Sequence, residues 1–296
     1  MNAPPRTSSD LLRIGDLTAV ELDDALALAG AMKAEPMARR DALEGRSLAC
    51  FLDDPATRQH VVVATAARRL GLLPVMLTRR EVERLRTDPT GDTARVLSAY
   101  AEGLVVATLT QRALRDLARV SPAPVVNAVS DEENPLQALA DLLTLRTRFG
   151  PLAGLPIAYV GAGELPVVHS LMEAAARAGM ELRIACPPKH RPIGEIAAAT
   201  EALAEAHGGR IRIVSDPREA VEGVRVVYTA AWPGRLDASY RVDTALLREA
   251  LLMHPLPAWR GAEVTRAALE GPRSLVAEQA ANALPATQAA IFSVLR

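Results

Sequence analysis

The sequence predicts an α/β protein of two domains, each a parallel sheet flanked by helices. Three observations carry this. Short apolar runs of strand length alternate with longer amphipathic runs, the pattern of strand–helix–strand units. The alternation breaks and restarts after Gly150-Pro151. A chain of 296 residues is long for one core and natural for two of roughly 150 residues each.

Ser47–Leu52 reads as a strand because its apolar run is short, and Thr57–Leu70 as a helix. Leu73–Leu77 is a strand, 93–101 a helix, and Leu104–Thr108 a strand rich in β-branched residues. Gln111–Ala118 is predicted helical and Pro124–Asn127 extended. Pro135–Phe149 is a long helix, with Leu136, Leu139, Leu142, Leu143 and Leu145 forming its apolar stripe, and it bridges the two domains. After the break come the strand Pro156–Val160, the helix Pro166–Ala178, the strand Glu181–Cys186, the helix Ile193–His207 and the strand Arg210–Val214. Val224–Thr229 is a further strand, 244–251 a helix and 252–254 a short strand. Helices at 265–270 and near 286–295 close the chain. There is no internal repeat and no low-complexity segment.

Composition narrows the function classes. Hydrophobic residues are 49% and charged residues 23%, the balance of a soluble globular chain. The formal net charge of −1 gives no electrostatic footprint for nucleic acid or an anionic membrane. Cys50 and Cys186 each lie in an apolar run and read as buried, reduced thiols of a cytoplasmic protein. No metal-ligand spacing occurs. Met1–Asp10 is polar with two prolines, unlike a signal peptide, and no apolar run approaches the roughly 20 residues of a membrane span.

Ligands of open parallel sheets bind beyond the carboxyl ends of strands, which selects the loops 53–60, 78–92, 108–111, 130–137, 161–166, 229–237 and 254–263. In the first, Asp53-Asp54-Pro55-Ala56-Thr57-Arg58-Gln59-His60 joins a strand to a helix start, where free N–H groups beside Arg58 suit an anion. The same residues also read as an ordinary helix capped by Asp53 or Asp54. Asn134 and Gln137 are amides suited to a carbonyl ligand, yet Asn134 before Pro135 is equally a helix cap. His254, between Met253 and Pro255, either presents a ring nitrogen to a ligand or is a satisfied residue of a rigid turn. Val160-Gly161-Ala162-Gly163 follows a strand, but the third glycine of a dinucleotide fingerprint is missing. The next strand ends in Cys186-Pro187-Pro188 without a ribose-binding acid. No cofactor is therefore expected.

Together these segments resemble the aspartate/ornithine transcarbamylase family. Ser47–Leu70 is similar to its strand–loop–helix, whose loop reads Ser-Thr-Arg-Thr-Arg. Gly91-Asp92-Thr93-Ala94-Arg95-Val96-Leu97-Ser98 resembles the segment after the mobile loop of ornithine transcarbamylases. The run from Asn134 to Thr144 resembles their His-Pro-x-Gln motif and bridging helix, and that from His254 to Thr265 their His-Cys-Leu-Pro motif. The resemblance runs from about residue 10 to the C-terminus. It implies the transcarbamylase fold, with a carbamoyl-phosphate domain over residues 1–143 and an amino-acid domain over 144–285. A C-terminal helix, 286–296, returns to the first domain, and the assembly is a homotrimer. It also implies a small-molecule substrate pair, carbamoyl phosphate and an amine, and phosphate release without a cofactor.

The resemblance puts catalytic roles on Arg58, Asn134, Gln137 and His254 and a substrate contact on Thr57; Gln59, His60, Glu164, Trp232 and Arg260 are further candidate substrate contacts. Thr57 and Arg58 match the phosphate clamp. Ala56, Gln59 and His60 replace the family's Ser, second Thr and second Arg; Ala107 and Ala283 fall where it has arginines, and Asn134 replaces its His. Ala230 falls where an Asp grips the α-amino group of ornithine, and Trp232-Pro233-Gly234 replaces Ser-Met-Gly. Three readings follow. The first is a divergent carbamoyltransferase acting on an amine other than ornithine, with Trp232 and Glu164 shaping its acceptor pocket. The second is a non-catalytic binding protein or partner subunit. The third is other chemistry on an anionic substrate, held by Arg58, His60 and Arg260.

Overall fold

A computed structural model describes residues 10–52, 57–77, 91–107, 110–232, 234 and 237–296. The chain forms two compact units, Met1–Leu139 with Ala283–Arg296, and Ala140–Asn282. Both divisions fall inside helices, within Pro135–Phe149 and within Val276–Leu295.

The first unit holds α1 (Ala19–Ala34), β1 (Ser47–Phe51), α2 (Thr57–Arg69), β2 (Leu73–Leu77), α3 (Asp92–Leu97), β3 (Gly103–Ala107), α4 (Gln111–Val120) and β4 (Val125–Val129). Its four strands are all parallel in the order β2-β1-β3-β4. Leu104, Val105, Val106 and Ala107 of β3 are wholly buried, as a continuous apolar run in a parallel sheet requires. At the free edge, β2 leaves Leu73 56% and Val75 42% exposed. The order reverses between β1 and β3, which places a ligand crevice beyond their carboxyl ends.

In the second unit, α5 (Pro135–Phe149) leads into β5 (Pro156–Val160), α6 (Pro166–Arg177), β6 (Glu181–Ala185), α7 (Gly194–Ala206) and β7 (Arg210–Val214). Then follow α8 (Pro217–Ala220), β8 (Val226–Tyr228), α9 (Thr244–Leu247), β9 (Leu251–Met253), α10 (Arg266–Leu269) and α11 (Val276–Leu295). The parallel order β7-β6-β5-β8-β9 reverses between β5 and β8. A buried polar chain fixes the end of β9. Asp141 accepts from the Tyr228 hydroxyl at 2.9 Å and from Gln279 Nε2 at 2.7 Å, and Gln279 Oε1 accepts from the His254 N–H at 2.8 Å. Each partner leaves the others satisfied, which is what makes such a network tolerable in a core. Among the described residues no helix is long and apolar enough to cross a membrane.

The fold departs from the sequence expectation in four places, each for a local reason. Helix α1 has no clear signature in the sequence. Thr18 and Glu21 form a reciprocal capping box and Leu22, Ala25, Leu26, Ala29 and Met32 are buried, but the exposed Val20 and Ala27 put apolar residues on the outer side too and blur the stripe. The helix expected over 93–101 stops at Leu97, where Ser98 Oγ turns back onto the Ala94 carbonyl at 2.7 Å. That expected over 244–251 is one turn, because the chain reverses at Arg248 (φ 51°) and the apolar residues after it enter β9. The last helix begins ten residues before Ala286; Pro285, which lacks an N–H and reads as a breaker, sits inside it.

Candidate active site

In the first unit four of the residues singled out by sequence, from the segments after β1 and β4, meet in one cavity. Arg58 and Gln59 lie in the first turn of α2. Asn134 precedes α5, and its Oδ1 accepts from the Gln137 N–H at 3.3 Å, so it is a helix cap as well as a lining residue. Arg58, Gln59, Asn134 and Gln137 line one cavity with Ala283 and Thr287 of α11, and about 30 Å³ of free space lies between them. A guanidinium and side-chain amides line it at the start of a 13-residue helix, a set suited to an oxyanion and a neighbouring carbonyl. His60 turns away: its Nε2–H donates to the Leu52 carbonyl at 2.8 Å, fastening the helix start to the end of β1. The side chain of Thr57 and residues 53–56 lie outside the described residues, as do 78–90 and 108–109 of the neighbouring loops.

In the second unit a different cluster gathers beyond β5, β6 and β8. Gly163 permits it. A Cβ at this position would lie 2.7 Å from Pro192 Cδ and 2.9 Å from the His190 carbonyl oxygen. With only hydrogen there, the Gly163 N–H donates to that carbonyl at 2.7 Å. The two loops close together, and His190 Nδ1 meets Glu164 Oε1 at 2.5 Å. The His190 ring lies 5.3 Å from that of Trp232, and Trp232 lies 6.4 Å from Tyr240. Trp232 is buried, yet among the described residues its indole N–H has no partner, and neither has the buried Thr229 hydroxyl just after β8. An orphaned buried donor costs about 1–3 kcal/mol, so two at one strand end mark a place that a ligand would complete. Ala230, between them in sequence, supplies no charge. A carboxylate–imidazole pair beside an aromatic face suits a cationic amine.

His254 is turned inward. Its side chain is fully buried; Nδ1 accepts from the Leu256 N–H and Nε2 donates to Glu263 Oε1, both at 3.0 Å. Glu263 Oε1 also accepts from the Trp259 N–H at 2.7 Å. Burial acts to raise the Glu263 carboxyl, but the hydrogen bonds from His254 and the backbone outweigh it and hold it below the ordinary carboxylate range. Both ring nitrogens of His254 are thus spent within the chain. The expectation of a ring nitrogen offered to a ligand gives way to a role in fixing the 254–263 loop. Arg260 donates to Glu270 at 2.8 Å on the surface.

Comparison with known proteins agrees with this architecture. Residues 9–147 match the family described as "Aspartate/ornithine carbamoyltransferase, carbamoyl-P binding domain", and residues 153–295 its "Asp/Orn binding domain". The chain belongs to the aspartate/ornithine carbamoyltransferase family. It is 38% identical to an ornithine carbamoyltransferase of Acidothermus cellulolyticus over 95% of this chain and 94% of that one. The crystal structure of ornithine carbamoyltransferase from Gloeobacter violaceus is similar with a TM-score of 0.88 and 38% identity, covering 98% and 99% of the two chains. That from Pyrococcus furiosus gives a TM-score of 0.91 at 32% identity, covering 99% and 98%.

Within this carbamoyltransferase-family chain the structure gathers Arg58, Gln59, Asn134 and Gln137 in one place, and Glu164 with Trp232, through His190, in another. Of the residues named for an anion in the third reading, His60 donates to the Leu52 carbonyl and Arg260 to Glu270. Sequence reasoning missed His190, Thr229 and Tyr240. The signal for His190 was present: Pro187-Pro188-Lys189-His190-Arg191-Pro192 is a rigid, basic loop directly after a strand, where ligand residues are placed.

Proposed function

We propose that this chain is a divergent carbamoyltransferase that moves a carbamoyl group from carbamoyl phosphate to an amine other than ornithine. The observation that carries the reading is the convergence of Arg58, Gln59, Asn134 and Gln137 on one cavity in a chain with the uncharged Ala230 in the loop after β8. Arg58 and the α2 N–H groups take the phosphate. Asn134 and Gln137 supply amide N–H groups for the carbonyl oxygen as charge develops on it. The amine lone pair attacks the carbamoyl carbon, a C–N bond forms, the C–O bond to phosphorus breaks, and phosphate leaves with the electron pair. The Glu164–His190 pair binds the acceptor as its ammonium and takes the proton it must shed. Neutral amides stabilise charge less than guanidinium or imidazolium would, so turnover is slower than with a full cationic set; a missing donor of this kind costs about 10²–10³ in rate.

Thermal shift tests the donor half. Carbamoyl phosphate at about 100 times its dissociation constant adds about 2.7 kcal/mol of stability, and Arg58→Ala removes the gain. Phosphate release is then followed across a panel of primary amines. Turnover with ornithine at the rate of the other amines refutes the acceptor assignment, and no release with any amine refutes the transferase. One observation favours that second outcome, a non-catalytic binding protein or partner subunit: the cavity holds about 30 Å³ and a single cationic side chain, little more than one water requires. The reading includes a homotrimer in the cytoplasm. It is supported by the apolar free edge of the first sheet, where Leu73, Val75 and, on α2, Val61 are exposed, an edge that proteins otherwise protect. Light scattering that returns a monomer removes the trimer.

A further inference from the structure

A second pocket of the Ala140–Asn282 unit lies between the turn after β7 and the segment from the 3₁₀ turn Ala238–Tyr240 through α9. Its volume is about 690 Å³, within the range of small-molecule sites. Arg218, Arg241 and Arg248 line it from three separate turns. Two carboxylates also line it, but both serve the backbone: Asp216 Oδ1 accepts from the Arg218 N–H and Asp243 Oδ1 from the Leu246 N–H, each at 2.8 Å. None of the three guanidinium groups has a hydrogen-bond or ion-pair partner among the described residues. The turn that carries Arg248 is held in its left-handed conformation (φ 51°) while Arg273 donates to the Arg248 carbonyl. Three unpaired guanidiniums around one concavity form a fork array that matches oxyanions and repels cations.

We propose that this pocket binds a multivalent oxyanion, a phosphate ester or a polycarboxylate, and that its occupancy is felt at the Trp232 cluster. The coupling runs through the residues on either side of Arg241. Tyr240 packs on Trp232 at 6.4 Å and donates its hydroxyl to the Ser215 carbonyl at 2.6 Å, so it joins the two walls of the pocket to the aromatic cluster that holds His190. Val242 donates to the Glu263 carbonyl at 2.8 Å, next to the carboxylate that fixes His254. An anion that draws Arg218 and Arg241 together clamps Tyr240 and Val242 between them, which sets the position of Trp232. Binding at this pocket requires neither carbamoyl phosphate nor turnover, so it stands whether or not the proposed transferase activity does.

Calorimetric titration of the full chain with pyrophosphate, and separately with citrate, tests the site. The titrations are made in an Arg58→Gln background, which silences the anion cavity of the first unit. Saturable binding of either probe is expected, weakened by about tenfold or more in Arg218→Gln and again in Arg241→Gln; the probe that binds more tightly identifies phosphate or carboxylate as the ligand class. These arginines are exposed and have no partner among the described residues, so both variants fold, as circular dichroism would show. Binding that is absent up to about 10 mM, or unchanged by both arginine substitutions, overturns the site. For the coupling, Trp259→Phe leaves Trp232 as the only tryptophan. A saturable change in its emission, with the midpoint of the calorimetric curve, is expected; calorimetric binding with constant emission overturns the coupling.

Discussion

Replacing Glu263 by alanine is expected to destabilise the fold by about 3–5 kcal/mol. The magnitude follows from what its carboxylate holds. Two donors point at one oxygen, His254 Nε2 at 3.0 Å and the Trp259 N–H at 2.7 Å, and hydrogen bonds to a charged acceptor are worth about 1.5–3 kcal/mol each. Alanine orphans both in a site where His254 and Glu263 are about 1% exposed. Glutamine keeps the accepting oxygen and loses the charge, which about halves the strength of each bond. It also puts an amide where Glu263 Oε2 has no partner among the described residues, so Glu263→Gln is expected to cost about 1–3 kcal/mol. The pH dependence has a definite sign. The folded carboxyl lies below its ordinary value, so the stabilisation is complete above the unfolded value of about 4.5 and is lost as pH falls through the folded one. Urea unfolding of the wild type, Glu263→Ala and Glu263→Gln at pH 7, repeated at lower pH, measures this as shifts of midpoint at constant slope. An alanine variant within about 0.5 kcal/mol of wild type, or a gap between wild type and glutamine that does not shrink on acidification, refutes the reasoning.

Gly163→Ala places a methyl against Pro192 and the His190 carbonyl; a cost of about 1–3 kcal/mol and loss of the Glu164–His190 contact are expected, read by thermal unfolding and by the crystal structure of the variant. Ala283→Arg adds a guanidinium beside the cavity of Arg58, and calorimetry is expected to show inorganic phosphate binding about tenfold more tightly; unchanged affinity means that residue 283 does not face the anion. Cys50 and Cys186 are buried, which pushes their thiols up to about 12 and about 11 respectively. Neither is expected to react with a thiol reagent at pH 8 until the chain is unfolded, as absorbance of the released chromophore would report.

Most of the fold was legible because a parallel sheet buried on both faces writes itself as apolar runs. Pro135–Phe149, Pro156–Val160 and Arg210–Val214 have the same limits in sequence and structure. The failures share one cause: local signals were overridden by packing. Val20 and Ala27 hid the buried side of α1, and Pro285 signalled a break that α11 does not make. Arg248 ended a helix that its neighbours' propensities would have continued.

The site was legible unevenly, and the physical reason is the difference between position and orientation. Position follows from strand order, so the loops holding Arg58, Asn134, Gln137, Glu164 and Trp232 were all found from strand ends. Orientation depends on partners distant in sequence. Nothing within Met253–Pro257 reveals that Glu263 and the Leu256 N–H consume both nitrogens of His254. Likewise, nothing around Pro55–His60 reveals that the Leu52 carbonyl takes the proton of His60. The substitutions carry the converse lesson. An alanine has almost no orientation to lose, so that Ala230 and Ala283 bring no charge is readable from the sequence alone. Whatever binds beside Ala230 must be recognised by neighbouring groups, and beyond β8 of the second unit those are the Trp232 N–H and Thr229 hydroxyl, which have no partner among the described residues, and the Glu164–His190 pair. On the proposed reading these groups recognise the acceptor, and His190 is the one whose substitution separates an amine-binding pocket from a structural contact. His190→Gln keeps a hydrogen bond to Glu164 but cannot accept a proton near neutrality. It is expected to leave amine binding within about threefold while slowing phosphate release by about 10²-fold or more. Equal loss of both would make the pair a structural brace.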